Sequence, residues 1–335
     1  DGVSNCVLAV PSGLKSAYSA ASGWKNFSTI VEYSGKCGSD LYWSLDTSGT
    51  FYLLGCGAMN NYTSSTSSTT PQLPWYNSCT SVKDVRFCGN ITSIGDYAFY
   101  DTSLTSVTIP SGVTSIGNRA FYDCSGLTSI EIPNSVTSIG NLAFYYCTSL
   151  RSVEIPSSVT SIGSSAFSGC TSLFSIISNI PSDKLFVPGS TAFGKVDKEK
   201  CTLTVPTGSK SKYASTEQWK DFTDVVEFSS DNKCGSNLYW SFNSTTGMLY
   251  ILGSGSMYNY NDGDNLAPWN SNKTKIKSVV IKSGVTSISS YAFLGCSSLR
   301  SIISEAPSAI VCGSNAFDGV SNCVLAVPSG LKSAY

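Results

Sequence analysis

The feature that most constrains this chain is short-period internal repetition, because segments that repeat one pattern must repeat one local structure. Residues Ile94–Leu104 read IGDYAFYDTSL, and the pattern returns as IGNRAFYDCSGL from Ile116, IGNLAFYYCTSL from Ile139 and IGSSAFSGCTSL from Ile162, a period of 22 or 23 residues. Between these runs lie LTSVTIPSGVTS from Leu104, LTSIEIPNSVTS from Leu127 and LRSVEIPSSVTS from Leu150. Each of the latter reads as a short strand. Leu104 leads in, Val107 and Ile109 point one way, and Pro110 ends the strand because it brings no ladder donor. A second apolar pair such as Val113 and Ile116 follows, and Ala120 and Phe121 close the coil.

One such coil cannot bury its leucine, valine, isoleucines and phenylalanine by itself, so neighbouring coils must stack with strands about 4.8 Å apart. This predicts a repeat solenoid, mostly β with short helices. Phe99, Phe121, Phe144 and Phe167 should form an aromatic stack, with Leu104, Leu127, Leu150 and Leu173 lining the sheet side of the same interior. The pattern resembles the BspA-like leucine-rich-repeat family, whose repeat reads close to LTSITIPxSVTSIGxxAFxxC. The resemblance is tight from Ile91 to Leu173. It returns from Val279 to Ser301 for one further coil carrying Ile288, Ala292, Phe293, Cys296 and Leu299.

Longer segments recur as well. Pro11–Glu32 (PSGLKSAYSAASGWKNFSTIVE) and Pro206–Glu227 (PTGSKSKYASTEQWKDFTDVVE) resemble terminal caps of that family, each with a short helix carrying Tyr18 and Trp24, or Tyr213 and Trp219, against an open end of the stack. After each cap, CGSDLYWSLDTSGTFYLLGCGAM from Cys37 and CGSNLYWSFNSTTGMLYILGSGSM from Cys234 alternate about a glycine turn and predict β-hairpins leading into the coils. Pro74-Trp75 and Pro268-Trp269 recur in the same place. The expected order is therefore the end of a repeat array and its cap (1–36), a hairpin module (37–80), leucine-rich-repeat coils (81–205), a cap (206–233), a hairpin module (234–275), a short array (276–325) and the start of another cap (326–335). Asp1–Tyr18 is identical to Asp318–Tyr335, an offset of 317 residues, which predicts a longer tandem array.

Composition narrows the function. Net charge is −1, so the clustered Lys and Arg that nucleic acid or an anionic membrane would need are lacking. The sequence holds no histidine, which excludes imidazole bases, histidine triads and imidazole zinc sites. Only 13% of residues are charged, and serine and threonine supply roughly a quarter of the chain, a surface suited to an extracellular or cell-surface setting. No apolar run approaches the length of a membrane span. None of the 13 cysteines is spaced as CxxC. Cys124, Cys147, Cys170 and Cys296 share one coil position, where side-by-side thiols pointing one way suit a disulfide poorly and read as small buried hydrophobes. For Cys37 with Cys56, and for Cys79 with Cys88, a local bridge and free thiols both stand.

No catalytic, cofactor or metal residues emerge, and the chain is expected not to be an enzyme. The acidic turn NYNDGDN around Asp262 and Asp264 lacks the closing glutamate of an EF-hand and reads as an Asn/Asp/Gly turn. Trp75 and Trp269 read as core plugs ahead of sugar platforms. The family resemblance implies an outward sheet face as the binding surface: Thr105, Ser106, Thr108, Thr128, Ser129, Glu131, Arg151, Ser152 and Glu154. Glu131 and Glu154 fit either a ligand or calcium contact there, or a solvated face partly compensated by Arg151. Asn26, Asn61, Asn90, Asn243 and Asn272 are sequons, at a frequency chance would supply. The Ser/Thr run from Thr63 has the composition of a flexible or O-glycosylated loop. The resemblance implies adhesion to a protein or glycan on host, matrix or other cells. The alternative is a structural subunit of an extracellular fibre made of copies of itself.

Overall fold

The computed structural model describes residues 6–63, 72–229, 231–244, 246–282, 284–306 and 308–327. The Ser/Thr-rich stretch 64–71 and the third cap from Pro328 onward lie outside the described residues. The chain forms two compact units, one of residues 1–173, 184–197 and 216–219, the other of 174–183, 198–215 and 220–335.

In the first unit three successive coils each give one strand to both of two parallel ladders. The first ladder joins Ser106–Thr108, Ser129–Glu131 and Ser152–Ile155, with Ser106, Ser129 and Ser152 in register. The second joins Ile91–Ile94, Ser115–Ile116, Ser138–Ile139 and Ser161–Ile162, with Ser93, Ser115, Ser138 and Ser161 in register. One-to-one register places equal repeat positions side by side, so a sequence repeat becomes a row of identical side chains. The coils close through tight turns in which Tyr97, Asp101, Arg119 and Asp123 take left-handed φ values of 53° to 61°. Each such non-glycine residue costs about 1–2 kcal/mol. The twist aims alternate amides at the next coil: Tyr97 N donates to Asn118 O at 2.9 Å, Phe99 N to Ala120 O at 2.7 Å and Asp101 N to Tyr122 O at 2.7 Å.

The interior follows the predicted rows. Ring centroids run 5.2 Å from Phe99 to Phe121, 5.2 Å to Phe144 and 5.1 Å to Phe167, all stacked and all fully buried with Leu104, Leu127 and Leu150. Phe193, from the degenerate TAFGKV segment, extends the row at 5.8 Å. The hairpin Asp40–Leu45/Thr50–Ala58 starts it. Its long second strand pairs in parallel with Asp84–Cys88 and then with Ile91–Ile94, the first strand of the second ladder, and Phe51 meets Phe99 edge-on at 5.9 Å. Trp75 is buried there and donates Nε1 to Ala98 O at 3.0 Å.

The second unit repeats this build. Met248–Met257 pairs antiparallel with Gly235–Asn243 and in parallel with Ser278–Ile281 and Val285–Ile288. Buried Trp269 donates to Ala292 O at 2.7 Å and stacks on Phe293 at 5.5 Å, with Phe317 next at 5.1 Å. Both tryptophans are core plugs. The same unit holds the parallel trio Ser175–Ser178, Thr202–Pro206 and Val225–Phe228.

The caps differ from expectation in one respect. Their α-helices are only Lys15–Ala20 and Lys210–Tyr213, and both tryptophans fall beyond them, Trp24 opening a separate 3-10 helix, Trp24–Asn26. A left-handed residue, Gly23 at φ 85° or Gln218 at φ 69°, redirects the backbone immediately before Trp24 or Trp219. Trp219 and Tyr213 are fully buried, whereas Trp24 is 45% exposed.

Among the described residues no disulfide joins any of the cysteines. Cys124 Sγ lies 3.0 Å from Phe99 O, Cys147 Sγ 3.2 Å from Phe121 O and Cys170 Sγ 3.2 Å from Phe144 O, so each thiol meets a backbone carbonyl of the preceding coil. Burial pushes Cys124 and Cys170 up to about 12 and Cys147 well above the usual thiol range. The thiolate, the reactive form, is thereby suppressed. Alkylation of the native protein at mildly alkaline pH should label exposed Cys6, Cys56 and Cys312 and spare these three, as read by peptide mass mapping. Rapid labelling of Cys147 in the native state would contradict the burial of this row. Because the folded thiols keep their protons to higher pH than unfolded ones, stability should fall as pH rises above about 8.5.

Candidate binding surfaces

Much of the serine and threonine is consumed by the stack itself. Thr137 Oγ1 donates to Thr114 O and Thr160 Oγ1 to Thr137 O, both at 3.1 Å, while Ser135 and Ser158 donate to Val113 O and Val136 O at 2.6 Å. Hydroxyls at repeat positions thus cross-tie neighbouring coils. What remains outward forms two surfaces and one aromatic row.

The first surface is the outer face of the Ser106, Ser129 and Ser152 ladder. The structure brings Thr105, Ser106, Thr108, Thr128, Ser129, Glu131 and Arg151 together there as exposed residues, with Ser152 and Glu154 half-buried. Thr108 stands opposite Glu131 in the register, and Thr128 Oγ1 is committed to Thr105 O at 3.0 Å.

The second surface runs along the other ladder, and the residue patterns above did not single it out. A groove of about 450 Å³ is lined by Ser93, Ser115, Ser138 and Ser161 with Asp96, Asn118 and Asn141. Its wall is a side-chain ladder. Asn61 Oδ1 accepts Asp96 N at 3.0 Å, Asp96 Oδ1 accepts Asn118 N at 2.6 Å, Asn118 Oδ1 accepts Asn141 N at 2.8 Å, and Asn141 Oδ1 accepts Ser164 N at 2.8 Å. A short side-chain acceptor at this position satisfies an amide the turn leaves open, as Asn and Asp do in Asx turns. The preceding glycine is required by close approach: a Cβ on Gly140 would sit 2.6 Å from Asn118 N, and one on Gly163 2.4 Å from Asn141 N. The signal was present in sequence as the recurring S-I-G-[D/N].

The aromatic row consists of half-buried Tyr100, Tyr122 and Tyr145, stacked at 4.9 Å and 5.0 Å. Burial, then the neighbouring Tyr122 and Asp101, pushes Tyr100 up to about 12. Burial likewise raises Asp101 and Asp123 beside it. Rings stacked on one another offer edges and hydroxyls outward, so the row suits hydrogen bonding better than face-on sugar stacking.

Of the sequons, Asn26, Asn61, Asn90 and Asn243 are exposed and Asn272 is half-buried. Asn261 closes the acidic turn on itself, accepting Gly263 N and Asn265 N at 2.9 Å and donating to Asp264 at 3.0 Å, and that bond holds Asp264 below its usual carboxylate range. Among the described residues, no group of three or more Cys, Asp or Glu is placed to hold a metal ion, and no helix is long and apolar enough to cross a membrane.

The family described as BspA type leucine rich repeat region matches in six copies over residues 40–128, 92–208 and 271–335. Among solved structures, the chain is similar to a leucine-rich repeat protein from Eubacterium ventriosum, at 20% identity over 88% of this chain and 96% of that one, with a TM-score of 0.36. It is also similar to a leucine rich cell surface protein from Faecalibacterium prausnitzii, at 19% identity over 89% and 95%, TM-score 0.28. The pneumococcal vaccine antigen PcpA is similar at 14% identity over 89% and 72%, TM-score 0.30. No curated protein matches the sequence.

Proposed function

Because the chain belongs to the BspA-type leucine-rich-repeat family, we propose that it is an extracellular, cell-surface binding protein rather than an enzyme, and that it holds a neutral, hydroxyl-rich polymer such as a polysaccharide along the serine and asparagine groove. The groove carries the reading: about 450 Å³ of concave surface presents Ser93, Ser115, Ser138 and Ser161 one strand spacing apart. A ligand with its own regular repeat meets the same hydroxyl and amide set at each coil, and such contacts multiply avidity along one chain. Asp96 is the only carboxylate on this wall, which favours uncharged partners. The low charge and hydroxyl-rich surface suit the extracellular setting.

A glycan array followed by calorimetry on hits tests this. The wild-type chain is expected to bind at least one linear glycan, and Ser115→Tyr with Ser138→Tyr, which fill the groove, should weaken it at least about tenfold, equivalent to about 1.4 kcal/mol. Thr128→Arg on the other face is the matched control and should leave binding intact. Loss of binding by Thr128→Arg alone would move the site to the Thr105–Glu154 face. Absence of any glycan hit would remove the polysaccharide reading.

A further inference from the structure

We propose that Lys282 and Asp224 condense into an intramolecular amide, a covalent cross-link that the second unit makes by itself with Glu305 carrying a proton. The side chains form one cluster. Lys282 Nζ lies 3.1 Å from Asp224 Oδ2 and 3.0 Å from Glu305 Oε1, and Thr202 Oγ1 donates to the same Asp224 Oδ2 at 2.7 Å. Backbone sets each of them in place. Lys282 follows the strand Ser278–Ile281, and its N–H donates to Ile251 O at 3.0 Å. Glu305 follows the paired strand Ser301–Ser304, and its N–H donates to Ile281 O at 2.8 Å. Asp224 precedes Val225–Phe228, and its carbonyl accepts Leu203 N at 2.8 Å. The lysine side chain is 8% exposed, so the amine is enclosed against the carboxyl group it would attack.

The repeat itself does not require these charges. The equivalent positions elsewhere in the chain are Cys88 for Lys282, Thr29 for Asp224 and Pro110 for Glu305, so the lysine and both carboxylates enter together. As an ion cluster they are a poor stabiliser. An enclosed ammonium carries a desolvation penalty, and two carboxylates around one cation leave a negative charge unbalanced. Tyr250, partly buried with Val226 on the cluster of Phe228, Tyr239 and Leu252, feels all three charges, which places apolar packing beside the site. Condensation replaces the enclosed charge pair with a neutral amide.

Fixed geometry lets an amine and a carboxyl group react as if each were at very high concentration. Burial opposes the charge on Lys282 while Glu305 and Asp224 support it, with a net shift above the ordinary lysine range, so the reaction starts from the ion pair. The ammonium gives up two of its three protons. The first passes to the Asp224 carboxylate, which leaves a carboxylic acid and a free amine. Nζ then attacks Cγ, and the Thr202 hydroxyl stabilises the negative charge gathering on Oδ2. Glu305 takes the second proton from Nζ and returns it to the departing Oδ1 hydroxyl. The Cγ–Oδ1 bond breaks, one water leaves, and Oδ2 remains as the amide oxygen. Glu305 ends as it began, and nothing is oxidised or reduced. The product joins residues 58 apart in sequence and fastens the Val225–Phe228 strand to the coil that begins at Ser278.

Intact mass spectrometry of the reduced, denatured full chain, freshly purified and after prolonged incubation, tests the proposal. The wild type is expected one water below the mass of its sequence. An Asp-Gly step such as Asp262-Gly263 also loses water by cyclising, so tandem spectra of tryptic peptides must locate the loss. They should show the Lys282 and Asp224 peptides joined, with no cut after Lys282. Lys282→Arg keeps the ion pair but brings a guanidinium that stays protonated, and it should regain the water while still folding. Glu305→Gln keeps an acceptor for Nζ and should leave most of the freshly purified chain open, since a positioned proton carrier is worth about a hundredfold or more in rate. A wild type that keeps its full mass after incubation would overturn the proposal. So would a missing water mapped to any other pair, Lys282 with Glu305 included, or a Glu305→Gln chain closed as fully as the wild type when freshly purified.

Discussion

Phe144→Ala is expected to destabilise the first unit by about 3–5 kcal/mol, the cost of deleting a fully buried aromatic from a packed interior. Phe144 is 0% exposed and lies between Phe121 at 5.2 Å and Phe167 at 5.1 Å, with interplanar angles of 5° and 10°. Each coil touches only its neighbours, so the change weakens two coil-to-coil interfaces at once. Tyr122→Ala separates burial from ring stacking. Tyr122 is held between Tyr100 and Tyr145 at nearly the same spacing, but on the half-exposed side. Its loss should cost about 1 kcal/mol, the worth of aromatic stacking beyond burial. Urea titrations of both variants, followed by circular dichroism, give the comparison. Equal losses would mean that stacking, and not the removal of phenylalanine from water, holds the coils together.

The rows in the core were legible because repetition supplies an internal alignment: four phenylalanines, four leucines and three cysteines at one spacing announce one environment each. Legibility failed where the spacing changed. Phe193 was passed over because the loop after Ile180 lengthens that repeat, although Ala192-Phe193 kept the motif. The tryptophans were assigned to the cap helices because a helical reading of Lys15–Trp24 ignores the left-handed Gly23. Burial, too, depended on context more than pattern. Tyr18 and Tyr213 occupy equivalent sequence positions, yet only Tyr213 has Ser178 and Ile180 beside it.

The groove was missed for a related reason. Polar residues in a repeat read as solvated spacers, and nothing in S-I-G-[D/N] says that the aspartate or asparagine reaches across to a neighbouring amide. That information lies in the register of the second ladder, which pairs Ser93 with Ser115 and Ser115 with Ser138. Only once the strands are in register does the side chain at one coil face the backbone of the next.

Gly140→Ala should therefore damage both fold and groove. The added methyl meets Asn118 N and Gly117 C at 2.6 Å and Gly117 O at 2.8 Å, all backbone of the preceding coil. Those atoms cannot turn aside as a flexible side chain would. They are held by the Ile116 to Ile139 pairing and by the Gly140 N to Ile116 O bond at 2.8 Å. The coils must move apart, at a cost of about 2–3 kcal/mol for overpacking, and the Asn118 to Asn141 amide contact at 2.8 Å stretches with them. Hydrogen exchange at the Asn141 amide should accelerate, and glycan binding in the groove should weaken with it. Gly263→Ala is the control, because its nearest neighbour stands 3.7 Å away on an exposed turn, and its melting should stay within about 0.5 kcal/mol of wild type. A Gly140→Ala chain that melted and bound like the wild type would show that coil spacing is not set by this glycine row, and the groove would then need another origin.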